Sequence, residues 1–278
     1  MPLFRPRRSS KRVALSQQHP FSELPLILAS GLGRSGTTVL RHCIGIHSKI
    51  AFTNEECNYI HDLMRSANSN LDYKNRLKAL AVTTGSYWQL HHQLLLNLFW
   101  PADRWDSSKD YRALSTYSML DPRASTGLKK TFAKLAVCYI IRNGIEVVSS
   151  YVSFPEFKHL DFKAVCKLWA FRQDMVDYQA HCPHFFLFRY EWFQQPDVFQ
   201  KQLTAAFKSV GLDFEPDCLQ PLTTKFHPTV FAGEPSESAG DLSRRRDRWK
   251  YWDDQQRDEF VNTCGPAMQA QGYEIPWI

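Results

Sequence analysis

The sequence predicts an α/β fold: a three-layer α/β/α arrangement with helices on both faces of a central parallel sheet. Three observations lead there. Apolar runs at Leu26–Ala29, Leu135–Ile141 and Phe185–Phe188 have the length and continuity of strands buried on both faces. The first two run straight into turn residues, Gly31-Leu32-Gly33 and Arg142-Asn143-Gly144, and then into helical periodicity. Strands and helices then alternate along the chain, the pattern of a sheet covered on both sides.

The totals fit that class. At 278 residues the chain can bury a full α/β core. Residues 1–23 carry Arg5, Arg7, Arg8, Lys11 and Arg12 and read as a basic, disordered tail, leaving 24–278 as one domain. No apolar run approaches the ~20 residues of a membrane-spanning helix. The N-terminus lacks the apolar segment of a signal peptide, and seven cysteines without a C-x-x-C pair fit reduced thiols. These features predict a cytoplasmic protein with no transmembrane segment. A formal charge of +6 suits a polyanionic ligand and does not by itself imply nucleic acid.

Taken in order, Leu26–Ala29 is the first strand and Thr37–Ile46 the first helix, with Val39, Leu40, Cys43, Ile44 and Ile46 on its apolar side. Ile50-Ala51-Phe52 is a short second strand, and Thr53 or Asn54 caps a helix with Glu55 and Glu56 in its first turn. Residues 58–120 form a largely helical, substrate-side region. Within it, Pro101–Asp110 is a loop and Tyr111–Tyr117 a strand. His91-His92 lacks the i, i+4 spacing of a helical metal pair, so no metal site is expected. Helices follow at Asp121–Phe132, after Arg142, at Asp161–His181 and at Pro196–Val210. Gly211–Gly240 reads as irregular, and a basic cluster from Arg244 to Lys250 precedes a last helix.

Chemistry concentrates at Ser30-Gly31-Leu32-Gly33-Arg34-Ser35-Gly36-Thr37-Thr38. Glycines let successive N–H groups turn inward, and the following helix adds partial positive charge, which together make an anion cradle. The spacing Gly31-x-x-x-x-Gly36 is of the P-loop nucleotide-binding type with one change, Thr37 at the lysine position. The nearby cation is Arg34. A triphosphate enzyme needs that lysine and a magnesium ligand set, so the change points to a different anion. A second strand-turn-helix unit places Arg142 at a strand's C-terminal edge, where open parallel sheets bind ligands.

These segments together resemble the sulfotransferases that use 3′-phosphoadenosine 5′-phosphosulfate (PAPS). The glycine loop is similar to the family's 5′-phosphosulfate loop. Arg142-Asn-Gly-Ile-Glu-Val-Val-Ser-Ser150 resembles its 3′-phosphate motif, an arginine at a strand end and a serine eight residues on. Phe186-Leu-Phe-Arg-Tyr-Glu191 is similar to the third core strand with its R-Y-E element, and Arg248-Trp249 through Glu274 to the C-terminal basic-Trp segment. The resemblance implies PAPS as co-substrate, no metal, and a hydroxyl-bearing acceptor (carbohydrate, lipid, peptide tyrosine or small alcohol). It assigns Gly33, Arg34, Ser35, Gly36, Thr37 and Thr38 to the phosphosulfate and Arg142 and Ser150 to the 3′-phosphate. Tyr190 would sit near adenine, and Ser236 or Ser238, with Arg248 or Lys250, would close over the cofactor. The loop arginine is nearer the tyrosylprotein and carbohydrate type than the cytosolic phenol and steroid type. In the tyrosylprotein group a glutamate after the second strand is the general base. That position falls on Glu55, with Glu56 in reserve.

Each assignment has a plainer counterpart. Glu55 and Glu56 complement a helix dipole, Tyr190 anchors a strand end, and the arginines of 244–246 face solvent. The family's lysine on the strand before Arg142 is replaced, by count, with Thr116; Lys109, Lys129 or Lys130 would serve only if the segment is offset. Two alternatives follow: a P-loop phosphotransferase, or a nucleotide-binding homologue without activity.

Overall fold

The computed structural model describes residues 24–56, 59–70, 83–100, 108–116, 122–157, 159–179, 183–223 and 248–278. Five strands form its sheet: β1 (Leu26–Gly31), β2 (Ile50–Glu56), β3 (Tyr111–Thr116), β4 (Leu135–Ile141) and β5 (Phe185–Arg189). All pair in parallel, in the order β2-β3-β1-β4-β5. Every residue of β1 and β4 is buried, as their unbroken apolar runs require.

The helices are α1 (Thr37–Gly45), α2 (Tyr59–Asn70), α3 (Thr84–Phe99), α4 (Pro122–Thr131), α5 (Gly144–Val152), α6 (Phe162–Gln179), α7 (Pro196–Ser209) and α8 (Asp254–Ala270). Alternation along the strands sorts them into layers. Ile27, Ala29, Ala136, Cys138 and Ile140 meet α1 and α7 on one face. Leu26, Leu28, Leu135, Val137 and Tyr139 meet α2, α3 and α4 on the other. A third cluster joins α5, α6 and α8 around Trp169, Trp252 and Phe260. This is the three-layer architecture that the sequence predicts. None of the described helices is long and apolar enough to cross a membrane.

Two expectations need correction. No helix opens at Thr53, because β2 continues through Glu56 and α2 starts only at Tyr59. A register shift between Phe52 and Glu56 lets Glu56 pair with Ser115 of β3, a non-local pairing that overrides the local capping signal. Gly211–Gly240 is not wholly irregular either, since Pro216–Leu219 and Gln220–Thr223 form short helical turns. The basic tail 1–23 and residues 101–107 lie outside the described residues.

The topology fixes where a ligand goes. From β1 the chain moves through α1 to the far edge of the sheet, returns to β3, and then crosses β1 to reach β4. The direction of winding therefore reverses at β1. The carboxyl ends of β1 and β4 frame the resulting crevice.

Candidate active site

The loop after β1 is built for close approach. A Cβ at Gly31 would lie 2.6 Å from the carbonyl oxygen of Ile140, so only glycine lets the chain leave β1 against β4. Arg34 has φ 67°, a left-handed backbone that side chains rarely adopt. The Ser35 N–H donates to the Leu32 carbonyl at 3.1 Å and closes the turn. Gly36, at φ 97°, is the N-cap of α1 and carries no side-chain cap. The first amides of α1 thus face the loop side with no side-chain acceptor of their own. Ser35 and Thr37 are buried, and Thr38 is half-buried beside them.

Arg142 stands at the carboxyl end of β4 with much of its guanidinium already engaged. Its Nε donates to Glu146 Oε2 at 2.6 Å, and its Nη2 pairs with the same carboxylate. Its Nη1 donates to the backbone carbonyl of Arg34 at 3.1 Å. The guanidinium carbon lies over the ring of Tyr190, just past β5, at 3.9 Å from the ring centre. Of five N–H groups, three are committed. One on Nη1 and one on Nη2 have no partner among the described residues.

The loop cation is tied to the same helix. Arg34 Nε donates to Ser150 Oγ at 2.9 Å, and its guanidinium sits 4.4 Å from the centre of the Phe154 ring. The same Ser150 hydroxyl, which the resemblance assigns to the 3′-phosphate with Arg142, keeps its own O–H to donate while it accepts from Arg34. Asn143 caps α5 by accepting from Ile145 N at 2.9 Å, while Trp169 Nε1 donates to the Arg142 carbonyl at 3.3 Å. Glu191 accepts from Asn143 N at 3.4 Å and from the Tyr273 hydroxyl at 3.2 Å, joining β5 and the C-terminal segment to the strand end.

Of the sequence-predicted residues, Gly33, Arg34, Ser35, Gly36, Thr37, Thr38, Arg142, Ser150 and Tyr190 thus gather around one crevice. Tyr190 even meets the loop directly, since a Cβ at Gly36 would lie 2.7 Å from its ring. Glu55 is the penultimate residue of β2, and its side chain lies outside what the structure describes. Arg248 opens a turn of 3₁₀ helix, Arg248–Tyr251, and its side chain is likewise outside. Ser236 and Ser238 fall outside the described residues. Thr116 is at the end of β3, buried, with Cα paired to Ser30.

Sequence reasoning missed four neighbours. Glu146 was legible as an i, i+4 partner of Arg142. Phe154 against Arg34, Trp169 under the Arg142 carbonyl and Tyr151 under the loop left no local signal. The Tyr151 hydroxyl sits 2.7 Å from where a Cβ on Gly33 would lie. Burial pushes its ionisation up, opposed by the nearby charges of Arg172 and Arg34.

The arrangement offers a cradle for one anionic group at the β1 loop and a separate two-pronged donor at the end of β4. Among the described residues it lacks a kinase's magnesium carboxylate beside β1. Both neighbours of β1 end without a carboxylate, β3 in Ser115-Thr116 and β4 in Ile141 followed by Arg142. Thr37 still occupies the lysine position.

Comparison with known proteins agrees. No curated protein matches the sequence. Among solved structures, the sulfotransferase domain from the curacin biosynthetic pathway is 18% identical. It covers 92% of this chain and 100% of its own, with a TM-score of 0.53. The sulfotransferase domain of the Synechococcus PCC 7002 olefin synthase is 14% identical over 91% of this chain and 95% of its own, with a TM-score of 0.51. Mouse sulfotransferase SULT7A1, solved with PAP, is 15% identical over 90% and 85%, also at 0.51. These likenesses concern the fold. A model of the sulfotransferase family matches residues 25–216, from the start of β1 to beyond α7. With that stretch covered, the chain belongs to the sulfotransferase family, whose reaction is sulfuryl transfer.

Proposed function

We propose that the chain transfers the sulfuryl group of PAPS to a hydroxyl of an acceptor. The observation that carries this reading is Arg142, held at the end of β4 by Glu146, Tyr190 and the Arg34 carbonyl with two N–H groups to spare. Such a fork matches a phosphate at the far end of a nucleotide from the loop. A 3′-phosphate is what separates PAPS from ATP.

In this reading the loop amides of Gly33–Gly36 and the hydroxyls of Thr37 and Thr38 hold the 5′-phosphosulfate. Arg34 neutralises charge on the leaving phosphate oxygen, and Arg142 takes the 3′-phosphate. Ser150 holds the 3′-phosphate with Arg142 while its oxygen accepts from Arg34, and Tyr190 lies beside the adenine end. Ser238 and Arg248 close over the nucleotide. Bound PAPS supplies an activated sulfur whose bond to the 5′-phosphate breaks as the acceptor oxygen bonds to it. Glu55, at the end of β2, accepts the acceptor's hydroxyl proton as general base, with Glu56 next to it. Positioning and charge neutralisation supply the catalysis, and no metal is required of these residues.

Calorimetric titration with PAP (3′,5′-adenosine bisphosphate), then with ADP and with ATP plus magnesium, tests the donor. PAP should bind far more tightly than either. A preference for ATP with magnesium would replace this reading with a phosphotransferase. The variant Glu55→Gln should bind PAP as the wild type does and lose turnover of any acceptor found by screening; full turnover would remove Glu55 as the base.

A further inference from the structure

Behind the loop lies a set of polar groups that the donor site does not use. Tyr139 is 2% exposed on β4, and its hydroxyl has no hydrogen-bond partner among the described residues. Gln173 on α6 is 3% exposed, and its Oε1 is also unpartnered. The buried Nε of Arg172, next to it, has no partner among the described residues either. Buried polar groups left this way in a native fold need an explanation, and a bound water or ligand is one.

Their places in the fold follow from the turn of α6 that comes after Trp169. Trp169 reaches the Arg142 carbonyl at the top of β4, and Val176 packs in the same cluster as Tyr139 and Val137 lower down. Between them, one helical turn below Trp169, come Arg172 and Gln173, at the level of Tyr139. The charge of Arg172 is felt at both Tyr139 and Tyr151, opposing the upward push of burial that takes Tyr139 to about 12. Tyr151 in turn reaches Gly33 of the loop. A ladder of donors therefore runs from the loop through Tyr151 to Arg172 and Tyr139.

We propose that Arg172, Tyr139 and Gln173 form an acceptor subsite that binds a carboxylate or similar acidic group on the molecule to be sulfated. The proposal rests on the sulfotransferase reading and narrows its acceptor to hydroxylated acids. The groups offered are a guanidinium and phenolic O–H donors, and Arg172 forms no ion pair among the described residues. Half-burying a guanidinium without a counter-ion is costly, and an anion arriving with the acceptor removes that cost. Gln173 takes part whichever way its amide is turned, as donor to the acid or acceptor from a bridging water. Tyr151, which feels the charge of Arg172 and lies against Gly33, links the subsite to the loop that would hold the sulfuryl group.

Paired probes test this on the full chain saturated with PAP: 4-hydroxyphenylacetate against 4-hydroxyphenethyl alcohol, and 3-hydroxybutyrate against butane-1,3-diol, each titrated by calorimetry. In each pair the acid should bind at least about 10-fold more tightly, the worth of one charge-assisted hydrogen bond. The gap should close in Arg172→Met. Tyr139→Phe, which removes a single hydroxyl and keeps the packing, should narrow it too and serves if the first variant does not fold. Equal binding within each pair, no binding of either acid at millimolar concentration, or a gap that survives both variants would overturn the proposal and leave an ordered water as the occupant. If PAP itself fails to bind the wild type, the donor reading falls separately. The same pairs on the nucleotide-free chain then decide the subsite.

Discussion

Arg142→Lys keeps the positive charge at the end of β4 and removes the planar fork. In the wild type, Nε and Nη2 are fixed on Glu146 and Nη1 on the Arg34 carbonyl, so one N–H on Nη1 and one on Nη2 remain. Each would make a charge-assisted bond to a phosphate oxygen. A lysine ammonium has no such fork, cannot stack flat on Tyr190, and reaches the phosphate with one bond at best. The net loss is therefore one bond, about 1.5–3 kcal/mol, or roughly 10- to 160-fold in affinity. The assay compares PAP with adenosine 5′-monophosphate, which lacks the 3′-phosphate, by calorimetry on both proteins. PAP should weaken by that factor and the monophosphate by little, so the preference between them shrinks. An equal loss for both nucleotides, or an unchanged PAP affinity, would refute the assignment of Arg142 to the 3′-phosphate.

Two further outcomes follow from the same geometry. Gly36→Ala forces a side chain into φ 97° with its Cβ against Tyr190 at 2.7 Å and Phe193 at 2.9 Å. The left-handed backbone alone costs about 1–2 kcal/mol, so thermal melting should fall by roughly 2–8 °C, and PAP binding should weaken as Tyr190 is displaced; an unchanged melting temperature would contradict the loop geometry. The second concerns pH. Burial lowers the pKa of His92, partly opposed by its bond to the Thr131 carbonyl, and burial followed by the charge of Lys129 lowers that of His184. A lowered folded-state pKa means the unfolded chain takes up a proton first. Stability should then be full above the ordinary imidazole value of about 6.5 and fall as pH drops below it. His184→Asn should flatten part of that fall in melting temperature between neutral pH and pH about 5; an identical pH profile would show that His184 does not contribute.

What could be read from the sequence was local. β1, its glycine loop and α1 are contiguous, as are β4, Arg142 and α5, and a strand buried on both faces announces itself as an apolar run. The end of β2 was misread because Thr53 and Asn54 give a good capping signal, while the pairing of Glu56 with Ser115 depends on a strand some sixty residues away. The same limit hid how the site is wired. Arg34 and Ser150 are 116 residues apart, and nothing in either neighbourhood says that they touch. The Tyr190 ring under Arg142 and the Tyr151 hydroxyl under Gly33 are equally non-local. Glu146 is the exception, because its spacing from Arg142 on one helix contains the pairing.

That wiring has a consequence for how the two ends of the crevice behave. Arg142 is gripped by Glu146 from α5 and bonds the Arg34 carbonyl, while Arg34 bonds Ser150, again from α5. One nine-residue helix thus holds the cation at each end, and the backbone of the loop closes the circuit. Its base is fixed in turn by Trp169, which donates to the Arg142 carbonyl and packs so tightly on Gly144 that an added Cβ would sit 2.9 Å from its ring. A shift of α5 must move both arginines together. On the β3 side, the described strand ends in the uncharged Thr116. In the proposed reading, an anion held by Arg142 at the end of β4 would therefore bear on the loop through the Arg34 carbonyl.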